Sequence, residues 1–297
     1  MRKTSVYLPD ALKATLTEAA ARAGVSEAEF IRRALEAAVH HRPQDRAQPN
    51  VPSRMRPGGP LLVGVGVGPG APDLLTARAR AIIQQADTII AAAISADAIG
   101  RAEATVRAAL GPLRVRRVPL DVTGSAAQRD ASNQTFAARV VDYLDRGDVV
   151  VVLTLGDPSM FSAFPSLAAR VRQIRPGVPI ETVPGVMAFQ ELAARAGTVV
   201  GGEHQSVRIV AVQSDTNESA ASIADTLARE DETLVLYRGG RCVASIADQL
   251  VAVGRADTAV VGELLGLPGE RCAPVTEYVG ESASYLATLI APAPGPR

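Results

Sequence analysis

The chain has 297 residues, 47% of them hydrophobic, enough to bury more than one core. Lys plus Arg equals Asp plus Glu at 31 each, which argues against a whole-chain polyanion binder, and two cysteines, Cys242 and Cys272, give neither a disulfide framework nor metal spacing. His40, His41 and His204 are too scattered for a metal site, no apolar core follows Met1-Arg-Lys-Thr-Ser, and no apolar run approaches the roughly 20 residues of a membrane helix; a cytoplasmic protein with no metal is expected.

Charge is uneven. Residues 1–56 carry ten Lys/Arg against six Asp/Glu, leaving 21 against 25 in the remainder, so a basic appendage is expected at the start. Arg2 to Leu8 alternates, with Lys3, Ser5 and Tyr7 on one face, as in a short strand. Pro9-Asp10 opens a helix with Leu12, Leu16, Ala19, Ala20 and Ala23 along one side, ended by Gly24. Ser26-Glu-Ala-Glu29 reads as a capping box for a second helix, with Phe30, Ile31, Ala34, Leu35 and Val39 inward. This unit, residues 1–40, is too small to fold well alone. It resembles the ribbon-helix-helix DNA-binding module. The resemblance implies a dimer that pairs its strands in the major groove, with Lys3, Ser5 and Tyr7 facing operator DNA and the start of the second helix meeting a phosphate. A pure dimerisation arm is the competing reading, and Glu27 and Glu29 stand where a phosphate would approach.

Residues 41–60 hold five prolines and few apolar side chains, the composition of a solvated tether. Two α/β domains are expected beyond it, at 61–201 and 202–292, with a tail at 293–297. In the first, Leu61–Val67 reads as a buried strand followed by Gly68-Pro69-Gly70 and a helix through Ala86. Strands are read at Asp87–Ile90 and Arg114–Val118, and a long helix at Ala126–Arg146. The continuous apolar run Val149–Leu155 predicts a strand buried on both faces. Phe161, Phe164, Leu167, Ala168 and Val171 then recur at helical spacing, and Pro179–Val183 is the next strand. This wiring predicts a parallel sheet, with Gly156-Asp157-Pro158 and Pro184-Gly185 at its carboxyl edge, where such sheets bind ligands. A dinucleotide fingerprint fails, because the required glycines are Pro69 and Ala71. In the second domain strands are read at Val207–Val212, Thr233–Tyr237, Thr258–Val261 and Tyr285–Ile290, and helices at Ala220–Ala228 and Val243–Val253.

Gly66-x-Gly-Pro-Gly-x-x-x-Leu-Leu-Thr76, Gly156-Asp-Pro-Ser-Met-Phe-Ser-Ala-Phe164 and Val183-Pro-Gly-Val-Met-Ala-Phe-Gln190, in this order, resemble the tetrapyrrole (corrin/porphyrin) methylases, and within them the precorrin-2 C20-methyltransferase branch. Leu236-Tyr-Arg-Gly-Gly-Arg241 and Gly262–Arg271 fit that branch too. The resemblance, over about residues 60–292, implies an α/β, two-domain fold with S-adenosylmethionine (SAM) in the cleft between the domains. It implies cofactor contacts at Pro69, Gly156, Asp157, Met160, Met187, Ala188 and Arg238, with Asp157 meeting the ammonium or sulfonium. Met187 stands where the family usually has Ser or Thr, which leaves its backbone N–H as the donor. The substrate implied is a reduced, many-carboxylate tetrapyrrole, precorrin-2 or cobalt-factor II, with Arg238 and Arg241 as its carboxylate partners and Arg129 and Arg271 behind them. The Asp that some members carry after the second strand is replaced by Ala91-Ala-Ala-Ile94, so no catalytic base is identified. A homodimeric enzyme is one reading; a transcription regulator with a methylase-derived sensor domain is the other.

Overall fold

The computed structural model describes residues 9–40, 59–93, 95, 97–120, 125–212, 223–227 and 229–294, without the side chains at 11, 12, 34–40, 126 and 241. The alternating segment with Lys3, Ser5 and Tyr7 lies outside the described residues. The chain divides into two compact units, Met1–Pro52 and Ser53–Arg297.

The first unit contains α1 (Asp10–Arg22) and α2 (Glu27–His40). Half of the expected capping box forms: Glu29 N donates to Ser26 Oγ at 3.2 Å, but the Glu29 carboxylate turns forward to Arg32 and Arg33. Two guanidiniums compete better for a carboxylate than one backbone N–H. Glu27 is held by Lys13 Nζ at 2.6 Å and by the Thr17 hydroxyl.

The second unit is built on two five-stranded sheets. β1 (Leu61–Gly66), β2 (Thr88–Ala93), β3 (Val115–Pro119), β4 (Val149–Thr154) and β5 (Ile180–Val183) form a parallel sheet in the order β3-β2-β4-β1-β5. Successive residues point to opposite faces. Leu61, Val63 and Val65 pack on α3 (Ala77–Gln85) and α4 (Arg101–Leu110), while Leu62, Val150 and Val152 face α5 (Ala126–Leu144) and α6 (Phe164–Ile174). Both faces are covered, which is why β1 and β4 are continuous apolar runs. Gly64 belongs to this packing, since a Cβ there would stand 2.6 Å from the Phe164 ring.

The helix α4 was not anticipated. Two of its inward residues, Glu103 and Thr105, are polar and fully buried, so its apolar stripe is interrupted. Glu103 is neutralised in place by Arg117 Nε at 2.7 Å and Arg107 Nη2 at 2.8 Å.

The second sheet runs β6-β7-β10-β8-β9, from β6 (Ser206–Ala211), β7 (Glu232–Tyr237), β8 (Val260–Glu263), β9 (Arg271–Pro274) and β10 (Thr288–Ala291). The strand β10, latest in the chain, lies in the middle and is antiparallel to both neighbours. Residues 285 and 286 form a turn and not the start of a strand, and β9 is an edge strand in a stretch to which the sequence pattern assigns no element. A short helix at 223–227 and α8 (Val243–Ala252) cover one face. The other face is covered by α7 (Ala188–Ala196), which follows β5 in the chain but sets Leu192 and Ala193 against Val235, Leu265 and Ile290. Arg255, 5% exposed, ties this sheet at one end: its guanidinium donates to the carbonyls of Leu227, Glu232, Ala291 and Pro292.

Candidate active site

Three loops leave the carboxyl ends of β1, β4 and β5 and meet backbone to backbone. Val67 N donates to Thr154 O at 2.9 Å and Gly156 N to Gly68 O at 2.8 Å, the latter an isolated antiparallel bridge that ties the two loops just beyond the parallel β1–β4 pairing. A Cβ on Gly185 would stand 2.1 Å from Gly156 O, and one on Gly66 would stand 2.5 Å from Gly185 N, so this contact admits no side chain at either position. Gly156 differs. Among the described residues, a Cβ there would meet only the Met187 sulfur, at 3.9 Å. The glycine leaves one backbone face bare, a cradle open to a ligand.

Asp157 ties two of these loops. Its Oδ1 accepts from Ser159 N at 2.7 Å and its Oδ2 from Gly185 N at 3.0 Å. Each oxygen keeps a further lone pair, so a ligand ammonium would share a carboxylate that is already held in place. Pro69 is buried in the first loop; Met160, Met187 and Ala188 are half-buried around the cradle. The Met187 backbone N–H, expected as a donor to the ligand, donates to Gln190 Oε1 at 2.8 Å in this structure. Gln190 is the third residue of α7 and caps the helix from within, a role readable from its spacing to Met187.

The second sheet closes over these loops. Gly266, at φ 74°, lies so near the first loop that a Cβ would stand 2.1 Å from Ala71 N, and one on Gly70 would stand 2.3 Å from Leu265 O. Thus Gly68-Pro69-Gly70 and Gly262–Arg271 interlock across the two sheets. Arg238, in left-handed backbone at φ 60°, donates from Nη2 to Phe161 O at 2.7 Å. Its expected role toward a ligand therefore shares the guanidinium with a tie between β7 and the β4–α6 loop. The Phe161 ring lies 5.6 Å from the Tyr237 ring, tilted 48°. The Tyr237 hydroxyl in turn accepts from Phe189 N at 3.2 Å, at the start of α7. Burial pushes the Tyr237 phenol up to about 12, so it remains protonated at neutral pH.

Phe161 corrects the sequence reading. Assigned to the helical stripe, it instead precedes α6 with φ 49° and is 40% exposed at the rim. Pro165, in the first turn of α6, was the available signal that the helix begins at Phe164. Tyr237 lies within the Leu236–Arg241 motif, and its part in this contact carries no local sequence signal. Arg241 follows in the Gly239–Arg241 turn, and its side chain lies outside the described residues. Arg271 is spoken for: Glu277 and Glu281 pair with it at 3.2 and 3.4 Å, and its guanidinium covers the Tyr278 ring.

A parallel sheet whose carboxyl-edge loops are sealed by a second, mixed sheet defines a class, and the comparisons agree on which. The tetrapyrrole (corrin/porphyrin) methylase model matches residues 61–278 and the chain belongs to that family, as a SAM-dependent methyltransferase. The model of ribbon-helix-helix proteins, copG family, matches residues 2–40. The chain is 32% identical over 214 residues to a cobalt-precorrin-2 C(20)-methyltransferase of Salmonella typhimurium, covering 71% of this chain and 86% of the relative. It is 29% identical over 241 residues to a precorrin-2 C(20)-methyltransferase of Sinorhizobium sp, covering 78% and 94%. Among solved structures, a cobalt precorrin-4 methyltransferase matches with TM-score 0.58 at 21% identity over 78% of this chain and 94% of that one. A uroporphyrin-III-C-methyltransferase from Thermus thermophilus matches with TM-score 0.54 at 22% identity over 79% and 92%. These two likenesses concern the fold. Among the described residues, no helix is long and apolar enough to cross a membrane.

Proposed function

We propose that this chain methylates C20 of precorrin-2 to give precorrin-3A in the cytoplasm, within cobalamin synthesis. The observation that carries the reading is that relatives matched over most of their own length act at C20 and the sequence motifs point to the same branch. The metal-free substrate and its cobalt form are both open to it, since one relative is named for each.

The crevice chemistry fits SAM. The bare backbone at Gly156 gives room, the half-buried Met160 and Met187 and the buried Pro69 offer apolar surface, and Asp157 has acceptor capacity for an ammonium. SAM supplies an electrophilic methyl group. The chain's own residues bind, align and exclude water: Asp157 and Ala188 set the cofactor end, Arg238 and Arg241 meet substrate carboxylates, and the interlocked Gly70 and Gly266 loops close the cleft. The working organisation is the unit 1–40, tether 41–60, domains 61–201 and 202–292 and tail 293–297.

Incubation of the purified protein with SAM and enzymatically generated precorrin-2, with and without cobalt, tests the reading by product mass. Gain of a single methyl supports it and identifies the preferred metal state. No gain, with SAM binding measured separately, rejects it and favours the sensor.

A second role rests on the first unit. Lys3, Ser5 and Tyr7 would read operator DNA from a homodimer, and the match over residues 2–40 supports this. The acidic start of α2 is less repulsive to a phosphate than its sequence suggests, because Lys13 pairs with Glu27 and Arg32 and Arg33 pair with Glu29. Anisotropy titration of labelled promoter DNA at two salt concentrations checks it; equal affinity for promoter and unrelated DNA would leave only the dimerisation arm.

A further inference from the structure

The crevice described above occupies the β4, β1 and β5 part of the carboxyl edge. The edge continues past β4 to β2, where α4 begins. Gly100, the cap of α4, backs onto β2: a Cβ there would stand 3.0 Å from Ala92 O. The same helix packs against the Pro72–Leu74 turn that follows Gly68-Pro69-Gly70. Arg101, its first residue, therefore stands at the mouth of β2, on the helix that packs against the loop leaving β1. It is half-buried, yet among the described residues no hydrogen bond or ion pair reaches its guanidinium.

Nearby arginines are accounted for differently. Glu103, two residues on, is fully buried and committed to Arg107 and Arg117. Arg117 Nη1 also donates to Asp97 O at 3.4 Å, and the Asp97 charge reaches Arg117. Arg107 and Arg117 thus share the one buried carboxylate of this helix, and among the described residues Arg101 is left without one. A partly desolvated cation without a partner is costly, and it is retained at low cost only where an anion completes it. Burial also lowers the Arg101 pKa from its ordinary value with no opposing carboxylate.

From these observations we infer that Arg101 is a substrate-positioning residue that binds a peripheral carboxylate of the tetrapyrrole. The inference rests on the proposed tetrapyrrole substrate. Two strand spacings of about 4.8 Å separate β1 from β2, about 10 Å in all. A flat ring of four pyrroles carrying acidic side chains spans that distance. With its accepting carbon held over β1 and β4, the macrocycle delivers a carboxylate to β2. A guanidinium suits this task because its donors match a carboxylate in pairs.

The test compares wild type, Arg101→Met and Arg101→Lys, by steady-state methyl transfer from SAM and by fluorescence titration with uroporphyrin III, a carboxylate-rich tetrapyrrole probe. The expected result for Arg101→Met is a rise of about tenfold or more in KM for the tetrapyrrole and weaker uroporphyrin binding. The kcat, the calorimetric affinity for SAM and the melting temperature are expected to change little, with Arg101→Lys recovering part of the KM. Unchanged tetrapyrrole KM and uroporphyrin affinity in Arg101→Met would overturn the assignment while leaving the enzyme reading intact. Parallel loss of SAM affinity and melting temperature would overturn it in favour of a structural role. A wild type that neither methylates precorrin-2 nor binds uroporphyrin would overturn the assignment together with the substrate reading.

Discussion

Asp157 shows how one side chain serves two needs at the site. Its two oxygens hold Ser159 N and Gly185 N, so the β4 and β5 loops are fixed to each other before any ligand arrives. Asp157→Asn keeps one acceptor and loses the charge. The expected outcome is SAM affinity lowered roughly tenfold by calorimetry, with stability reduced by about 1–3 kcal/mol in urea melts. Unchanged affinity would remove Asp157 from the cofactor contacts. Glu103 makes a pH prediction. Arg117, by hydrogen bonding first and by charge second, holds its carboxyl below the usual 4.5 in the folded protein. A depressed folded pKa contributes stability that is complete above the unfolded value and is lost as pH falls through the folded one. Wild type is therefore expected to lose this contribution below about pH 4.5. Glu103→Gln should be destabilised by about 3–5 kcal/mol at pH 7 and show a shallower acid limb. Equal acid limbs in the two proteins would refute the assignment. At this scale the sequence was partly legible. Asp157 stood out as a carboxylate between Gly and Pro at a strand end, a pattern that a plain Asp-Pro turn also produces, and the structure shows it holding Ser159 N and Gly185 N. The capture of the Met187 N–H by Gln190 and the left-handed turn at Phe161 depend on helix starts a residue or two away, where sequence patterns are least precise.

Elements were legible where their environment was uniform. Strands β1 and β4 have both faces covered, and their apolar runs say so directly. The helix α4 was hidden by an ion pair formed with a residue of β3, an interaction between segments that no local period encodes. The strand β9 was hidden because Arg271-Cys-Ala-Pro274 is short, edge-placed and ends in proline. Joints between elements carry the sharper predictions. Gly185→Ala forces a Cβ within 2.1 Å of Gly156 O, and backbone must move on both loops. It is expected to abolish SAM binding while circular dichroism of the sheets persists; wild-type binding would mean that the three-loop contact is dispensable. Arg255 is the corresponding joint of the second sheet, with its charge spent on carbonyls from 227, 232, 291 and 292. Arg255→Met strands those acceptors. Equilibrium unfolding should register a loss of roughly 3 kcal/mol or more, well beyond that of a surface arginine.

For the whole molecule, the match to ribbon-helix-helix proteins ends at residue 40 and that to methylases begins at 61, on either side of the proline-rich stretch. Removing residues 1–52 is expected to leave methyl transfer within about twofold and to abolish DNA affinity in the anisotropy titration. A folded truncation that lost methyl transfer would assign the first unit to the catalytic machinery. Order along the chain has its own consequence. The middle strand of the second sheet, β10, is the last of the ten strands among the described residues to be synthesised. While a ribosome is still making it, β6–β7 and β8–β9 exist only as two separated pairs, with the flanks of β7 and β8 unpaired. The parallel sheet has all its strands by residue 183 and is free to fold during translation. The second waits for a final insertion, and a nascent chain stalled before residue 288 presents two open sheet edges to the cell's chaperones and proteases.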